Sequence, residues 1–247
     1  MKQLFDVVVS FIGLIALSPV LLPIMLMIWL QDFHSPFYIA QRVGRKGKTF
    51  QMVKLRSMVV GADRSGVDST ASDDQRITGV GRFARRYKLD EIPQLWNVLL
   101  GQMSLVGPRP NVARDVALYT EEEQHLLDVR PGITDIASIV FSDEGEILAG
   151  SDDPDLKYNQ VIRPWKSRLG LLYVTHSSLI LDAKIMGLTA LTIVSRTRAL
   201  CGVQRLLKEL NADEQLKRVA QRKAPLQAYP PPGSDCIIDV NPPGRMG

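Results

Sequence analysis

The chain has 247 residues, of which 45% are hydrophobic and 23% are charged, with a formal net charge of +4 and a sequence pI near 9.1. This length accommodates one ordinary domain with appendages, and the composition excludes a largely disordered chain. A mild basic excess fits anionic lipid, phosphorylated substrates or nucleic acid, but there is no aromatic-basic pattern, so we expect no nucleic-acid partner. The two cysteines form neither a disulfide framework nor a zinc spacing, which indicates a reducing, cytoplasmic-side environment.

Residues 7–30 carry no charged side chain. A straight helix over this run is about 36 Å long, enough to cross a hydrocarbon core of about 30 Å. A signal peptide is disfavoured because the run is long and no A-x-A site follows it. A spanning helix and a re-entrant helix-break-helix, with the break at Ser18 and Pro19, both fit the pattern, since proline kinks helices but also occurs in spanning ones.

Basic residues are concentrated after this apolar run. Lys2 precedes it, and the basic residues that follow up to position 56 are Arg42, Arg45, Lys46, Lys48, Lys54 and Arg56. The positive-inside tendency therefore puts the remainder of the chain in the cytoplasm. Residues 49–55 alternate as a short strand would, which places Lys54 and Arg56 on one face. The polar residues 61–78 are expected to form a loop, which we interpret as a candidate lid.

The adjacent carboxylates Asp90 and Glu91 are the centre of the most informative stretch, residues 82–110. Four cations precede the pair, namely Arg82, Arg85, Arg86 and Lys88. A helix with one apolar face is predicted to begin near Pro93, because apolar residues recur at i, i+3, i+4 and i+7. These residues are Ile92, Leu95, Trp96 and Leu99.

Two interpretations of Asp90 compete. At or next to the helix N-cap, it would be an ordinary capping residue, and the cations before it an ordinary solvated face. Alternatively, it is a carboxylate nucleophile for phosphoryl chemistry, with a neighbouring carboxylate and with cations that neutralise phosphate. Arg109 lies between two prolines and could bind phosphate in bidentate fashion.

Several motifs together resemble the bacterial sugar transferases, the monotopic phosphoglycosyl transferases, over about residues 1–195. The signature block L-D-E-I-P-Q-L-W-N-V-L-L-G-Q-M-S-L-V-G-P-R-P lies at 89–110. The other matching stretches are Ser18-Pro19, Q-R-V-G at 41–44, K-L-R-S-M at 54–58, V-R-P-G-I-T at 129–134 and L-D-A-K-I-M at 181–186.

The resemblance implies transfer of a phosphosugar from a nucleotide diphosphate sugar, expected to be a UDP-sugar, to polyprenyl (undecaprenyl) phosphate. UMP would be released and a surface glycan initiated. Asp90 would be the covalent nucleophile, and Glu91 would bind Mg²⁺ with it or assist proton transfer. The resemblance also implies that Arg85 and Arg109 hold phosphate, and that Lys54 and Arg56 are basic groups near the site.

The expected fold is mixed α/β and mostly helical, in a monotopic membrane protein with a small catalytic domain. The expected location is the cytoplasmic face of the bacterial inner membrane, with lipid as a partner; no oligomeric state is predicted. The expected regions are a re-entrant membrane helix over 1–30, the catalytic domain with interfacial helices over 31–200, a basic helical extension over 201–223 and a disordered Pro/Gly-rich tail over 224–247.

Residues 135–160 depart from the family's pattern. Family members often carry G-W-A-Q and then N-G-R after P-G-I-T, whereas this chain continues D-I-A-S-I-V-F into an acidic stretch. Recognition of the sugar or the nucleotide is therefore expected to differ here, and we predict no specificity residue in this segment. A membrane-anchored interaction protein without catalysis, or an inactive homologue, is the alternative function.

Overall fold

The computed structural model describes residues 1–65 and 69–239, and 57% of the residues are helical. In chain order the α-helices of the described residues are α1 Lys2–Asp32, α2 Gly79–Arg86, α3 Gln94–Leu99, α4 Ala113–Val116, α5 Glu121–Gln124, α6 Ile136–Val140, α7 Glu144–Leu148, α8 Pro154–Lys157, α9 Arg163–His176, α10 Leu179–Val194, α11 Arg196–Glu209 and α12 Glu214–Ala220. The strands in the same residues are β1 Phe37–Val43, β2 Thr49–Leu55, β3 Ser104–Val106 and β4 Gly132–Thr134. The predicted mixed and mostly helical fold class is therefore confirmed, as is the strand over 49–55.

The hairpin of β1 and β2 positions a lysine on its inner face. The two strands are antiparallel, with Tyr38 paired to Lys54. Phe50 and Met52 of β2 are buried, and alternate side chains of a strand share a face, so Lys54 lies on the same face as these two. β3 and β4 pair in parallel elsewhere in the domain.

The main hydrophobic core lies between α6, α9, α10 and α11. On α6, Ile136, Ile139 and Val140 recur at helical spacing and are at most 1% exposed. Leu207 of α11 and Ala220 of α12 belong to the same core. The helical extension over 201–223 is therefore a packed part of this domain, which its basic composition did not reveal.

Residues 224–239 differ from the disordered tail that their proline and glycine content predicts. Tyr229 stacks on Trp165 with ring centroids 4.4 Å apart, and its backbone N–H donates to the Gln160 carbonyl at 2.9 Å. The Thr120 hydroxyl donates to the Pro232 carbonyl at 2.6 Å. An aromatic stack and satisfied backbone groups hold this segment against the domain, and composition alone does not show such long-range partners. Residues 240–247 of the predicted tail lie outside the described residues.

Both ends of α1 are attached to the same domain. Near its start, Lys2 forms an ion pair with Asp182, and Asp6 accepts a hydrogen bond from the Ser104 hydroxyl at 2.7 Å. At its other end, Asp32 accepts two hydrogen bonds from the Arg56 guanidinium, at 2.5 and 2.7 Å. A straight helix of 31 residues is about 46 Å long, so the domain extends along α1.

The helical assignment of α1 continues through Ser18, Pro19 and Pro23. The Ser18 hydroxyl donates to the Ile15 carbonyl at 2.8 Å, within the preceding turn of the same helix. The secondary structure thus does not confirm a break at Ser18 and Pro19, and the re-entrant arrangement stays a prediction.

One face of α1 is apolar and exposed. Phe11, Ile12 and Ile15 are each at least 58% exposed, and α1 is long and apolar enough to cross a membrane by length and composition alone. Phe83 of α2 and Trp96 of α3 are also exposed. Extended apolar surface of this kind marks contact with a membrane or a partner protein.

Candidate active site

The stretch over 82–110 folds as α2, a 3-10 turn over Leu89–Glu91, α3 and β3. At Lys88 the backbone is left-handed, with a φ of 56°, which turns the chain sharply between α2 and the 3-10 turn. The turn carries Asp90 and Glu91 side by side, and Asp90 is only 8% exposed.

The interpretation of Asp90 as a helix cap is wrong. The N-cap of α3 is Pro93, without a side-chain hydrogen bond, while Asp90 lies in the preceding turn. The start of α3 is where the sequence predicts it, but its buried side chains are Gln94 and Asn97 together with Val98, while Trp96 is 53% exposed. The Asn97 amide exchanges hydrogen bonds with the backbone of β2 at 3.0 and 2.7 Å, which is why a polar residue lies inside.

Glu91 and Arg109 form a bidentate ion pair. The Arg109 Nη2 and Nη1 atoms donate to the two Glu91 carboxylate oxygens at 2.6 and 3.1 Å, and Nη1 also donates to the Ile133 carbonyl at 2.8 Å. Burial alone would raise the pKa of Glu91, but Arg109 and then Lys54 outweigh it and lower the pKa to about 2. Glu91 is therefore ionised throughout the neutral range, and the two prolines around Arg109 restrict the backbone that carries it.

The pKa of Asp90 is shifted in the opposite direction to that of Glu91. Burial and the neighbouring charge of Glu91 raise the pKa of Asp90, while Lys54, Arg85 and Arg109 act in the other direction. Within residues 1–65 and 69–239, no hydrogen bond reaches its carboxylate. A buried carboxylate beside cations but without a fixed partner is available to a substrate.

Lys54 and Arg85 reach this carboxylate pair from two different elements. Burial and the nearby Arg109 lower the pKa of Lys54 to about 8. The Nε atom of Arg85 donates to the Ser57 hydroxyl at 2.8 Å, which orients the guanidinium. α2 can approach Ser57 this closely only because position 81 is Gly, since a Cβ there would lie 1.9 Å from the Ser57 carbonyl oxygen.

Arg56 lines the same cleft, but its guanidinium is held by Asp32 and by the Ser35 carbonyl, the latter at 2.8 Å. The contacts of Arg56 in this structure therefore join the domain to the end of α1. A role of Arg56 in substrate binding stays a prediction.

The predicted site residues open into one cleft of about 1260 Å³. The structure also lines this cleft with Asp135, Glu144, Tyr158 and Lys166, which the sequence analysis did not single out. These residues are scattered along the chain and share no motif. The available signal was that three of them, Asp135, Glu144 and Tyr158, lie in the segment that departs from the family's pattern.

The two carboxylates fit a magnesium ion. Mg²⁺ is usually held through one or two carboxylates together with substrate phosphates and water. Asp90 has no hydrogen-bond partner in the part of the chain that the structure describes, and Glu91 retains lone pairs that Arg109 does not use. The same part of the chain has no group of three or more His, Cys, Asp or Glu side chains that could hold a metal, so such an ion would depend on substrate oxygens.

Comparison with known proteins identifies the family of the chain. The family model described as bacterial sugar transferase matches residues 1–196. The chain belongs to the bacterial sugar transferase family. The match contains every residue placed in the cleft so far, whereas most of α11, all of α12 and the segment after them lie beyond it.

Three relatives with curated names are similar to this sugar transferase. The exopolysaccharide production protein ExoY of Sinorhizobium fredii is 38% identical over 153 residues, which cover 56% of this chain and 68% of that protein. The undecaprenyl-phosphate galactose phosphotransferase of Salmonella typhimurium is 34% identical over 217 residues, 81% of this chain and 41% of that protein. The UDP-glucose:undecaprenyl-phosphate glucose-1-phosphate transferase of Xanthomonas campestris is 36% identical over 204 residues, 80% of this chain and 40% of that protein. The aligned region is thus about two fifths of the last two proteins.

We expect Asp90→Asn to make the fold more stable near neutral pH. The raised pKa means that the folded protein binds this proton more tightly than the unfolded protein, so stability falls as the pH rises from about 4 through the folded pKa. Each unit by which folding raises the pKa of Asp90 lowers the free energy of unfolding near neutral pH by about 1.4 kcal/mol. The Asn variant does not ionise at this position and therefore does not lose this stability.

Thermal unfolding of both full-length proteins, in detergent without Mg²⁺ and over a pH series, measures this difference. The midpoint of the Asn variant should exceed that of the parent near pH 7, by a margin that shrinks toward about pH 4. A margin that is absent or constant with pH would show that the environment of Asp90 does not oppose its ionisation.

Proposed function

We propose that this chain transfers a phosphosugar from a UDP-sugar to undecaprenyl phosphate, giving undecaprenyl-diphosphate sugar and UMP, and so initiates a surface glycan. The observation that carries the proposal is Asp90, a buried carboxylate surrounded by Lys54, Arg85 and Arg109 in a cleft. These are the requirements for a nucleophile that attacks an anionic phosphorus centre. The names of the Salmonella and Xanthomonas relatives support undecaprenyl phosphate as the acceptor.

In the first half-reaction, an Asp90 oxygen attacks the phosphorus that carries the sugar. A bond forms between that oxygen and the phosphorus, and the bond from the phosphorus to the bridging oxygen breaks. UMP leaves with the bonding electron pair. Arg109, Lys54 and Arg85 offset the charge of the diphosphate and of the leaving phosphate.

In the second half-reaction, a phosphate oxygen of the lipid attacks the same phosphorus and displaces the Asp90 carboxylate. The bonds balance without a net proton, because attacking and leaving groups are both ionised oxygens. Lys54 is mostly cationic near neutral pH, since its pKa is about 8, and it offsets the charge of the second phosphate.

Glu91 orients the site in this scheme. Its ion pair with Arg109 fixes the guanidinium that would bind phosphate, and Glu91 would hold Mg²⁺ together with Asp90. When bound, Mg²⁺ neutralises and orients the diphosphate oxygens.

A monotopic location on the cytoplasmic face of the inner membrane fits the acceptor. Lys2 and Asp32, at opposite ends of α1, both contact the domain that carries the cleft, which supports two ends on one side of the membrane. The exposed apolar face of α1 would then enter the lipid, and α3, which packs on α1, also exposes an apolar side chain, Trp96. The polyprenyl chain could thus remain in the bilayer while its phosphate enters the cleft.

Substitution of Asp90 by Asn should abolish turnover, lowering kcat by at least about 10⁴-fold as expected for a lost nucleophile. The measurement is UMP release by full-length protein in detergent with undecaprenyl phosphate, Mg²⁺ and a panel of UDP-sugars. Asp213→Asn is the matched control, because Asp213 caps α12 through a bond from the Leu216 N–H at 2.7 Å and Asn caps equally well. Near-normal turnover in Asp90→Asn would overturn the mechanism and favour a membrane-anchored interaction protein.

The monotopic arrangement predicts where cysteines can be labelled. Gln3→Cys and Asp73→Cys would each be made with Cys201→Ser and Cys236→Ser, because both native cysteines are exposed. An impermeant thiol reagent added outside intact cells should label neither position, and both should react after permeabilisation. Labelling of position 3 alone in intact cells would establish a spanning helix instead.

A further inference from the structure

A second cluster of polar groups lies in the cleft apart from the Asp90 block. Lys166 of α9 forms an ion pair with Glu144, the first residue of α7, and its ammonium lies 5.0 Å from the centre of the Tyr158 ring. All three side chains line the cleft, and they are called the Lys166 cluster below. The mechanism above uses none of them.

The Lys166 cluster has unused hydrogen-bonding capacity. The Lys166 and Glu144 side chains are 20% and 30% exposed, and only one Glu144 oxygen binds the ammonium. The Tyr158 hydroxyl has no hydrogen bond within the described ranges 1–65 and 69–239. A carboxylate accepts, an ammonium donates and a phenol does both, so the cluster matches neighbouring hydroxyl groups, each of which donates and accepts.

The Lys166 cluster is electrostatically connected to the phosphate end of the cleft. Asp135, held at the start of α6 by a 2.6 Å bond from the Ser138 N–H, attracts both Arg109 and Lys166. In the proposed reaction the sugar is joined through its anomeric oxygen to the phosphorus that Asp90 attacks. A group of hydroxyl-binding side chains that lines the same cleft is therefore available to the sugar of a donor whose phosphorus lies at Asp90.

Ser69 and Ser72, which precede α2, contact this end of the cleft. The Ser72 N–H donates to the Gly145 carbonyl at 2.9 Å, and the Ser69 N–H donates to an Asp155 carboxylate oxygen at 2.7 Å. Ser69 and Ser72 also line the cleft. These two hydrogen bonds join the chain before α2 to the part of the cleft wall that carries Glu144.

The position of the Lys166 cluster points to the sugar rather than the nucleotide. The Salmonella and Xanthomonas relatives are both named for undecaprenyl phosphate, but one is named for galactose and the other for glucose. In this chain the Asp90 block keeps the family's pattern, whereas Glu144 and Tyr158 lie in the segment that departs from it. A segment that departs from the family's pattern thus contributes two of the three side chains of the cluster, as expected for a group that recognises the sugar.

We propose that Lys166, Glu144 and Tyr158 bind the hydroxyl groups of the donor sugar and determine which sugar is transferred, an inference that rests on the proposed function. The side chains act by hydrogen bonding, and no further bond is made or broken. A site built to bind a hydroxyl rejects a sugar without it at that position, because its own polar groups are then left unpaired.

The test separates sugar binding from turnover. Calorimetry on the full-length protein in detergent with Mg²⁺ would give the Kd of a panel of UDP-sugars and of UDP. The protein would carry Asp90→Asn so that no transfer occurs during titration. Each cluster variant, Tyr158→Phe, Glu144→Gln and Lys166→Met, would be added to this background.

Two matched controls lie outside the cleft. Tyr229→Phe removes a hydroxyl that donates to Gln215, and Lys184→Met breaks the exposed ion pair with Glu209. Neither control should change any Kd. Tyr158→Phe is the variant least able to disturb folding, because its hydroxyl bonds to no described residue.

The proposal predicts that the preference for the best UDP-sugar over UDP falls about tenfold in Tyr158→Phe and about tenfold to a hundredfold in the two charge variants. The Kd of UDP itself should not change. Weaker UDP binding with an unchanged preference would assign the cluster to the nucleoside and overturn the proposal, as would an unchanged preference in Tyr158→Phe. If UMP release fails for every donor while the cluster-dependent preference persists, the proposed reaction fails and the sugar site stands.

Discussion

The bidentate pair of Glu91 with Arg109 is the interaction on which the site depends. Two adjacent carboxylates cannot both be buried and ionised without compensating cations, because each loses its hydration and repels the other. Arg109 neutralises Glu91 directly, which leaves Lys54 and Arg85 to offset the charge of Asp90. Three distant parts of the fold, namely the β1–β2 hairpin, α2 and the loop after β3, therefore have to meet at this turn.

The same arrangement gives two neighbouring carboxylates different tasks. The pKa of Glu91 is lowered to about 2, whereas that of Asp90 is raised, although the residues are consecutive. Glu91 is a fixed anion that orients Arg109. Asp90 is a buried carboxylate without a hydrogen-bond partner among the described residues, and its ionisation lowers the stability of the fold. Such a group is typical of a functional site, where a substrate supplies the missing partners.

The long helix α1 provides an exposed apolar surface beside the domain that carries this site. Its polar ends bind the domain through Lys2 and Asp32, while its outer face remains apolar and exposed. Since both ends of α1 contact the domain that carries the cleft, the proposed lipid phosphate and water-soluble donor would meet beside the apolar surface. The contact between Arg56 and Asp32 joins α1 to the strand that carries Lys54.

The sequence predicted those features that depend on local pattern or on a contiguous motif. The strand with Lys54 and the start of α3 follow from neighbouring residues, whereas the separate 3-10 turn that carries Asp90 and Glu91 was not predicted. Contacts between distant residues could not be predicted in this way. One such contact is the ion pair of Arg56 with Asp32. Another is the stack of Tyr229 on Trp165, which orders a segment whose composition predicted a disordered tail.

The Lys166 cluster could not be predicted from the sequence for the same reason. Its ion pair joins α7 to α9, and neither residue belongs to a motif. What the sequence did show was that the segment after P-G-I-T differs from the family. In the structure this segment lines the cleft. This is why we relate the difference in sequence to the choice of donor sugar.

The most direct test of the account is peptide mass spectrometry of the purified full-length protein after incubation with its UDP-sugar and Mg²⁺ in the absence of undecaprenyl phosphate. The account predicts a phosphosugar adduct on the peptide that contains Asp90, release of UMP in equal amount, and loss of the adduct when undecaprenyl phosphate is added. Release of UMP only when both substrates are present, with Asp90 unmodified at every time point, would contradict a covalent route through this carboxylate.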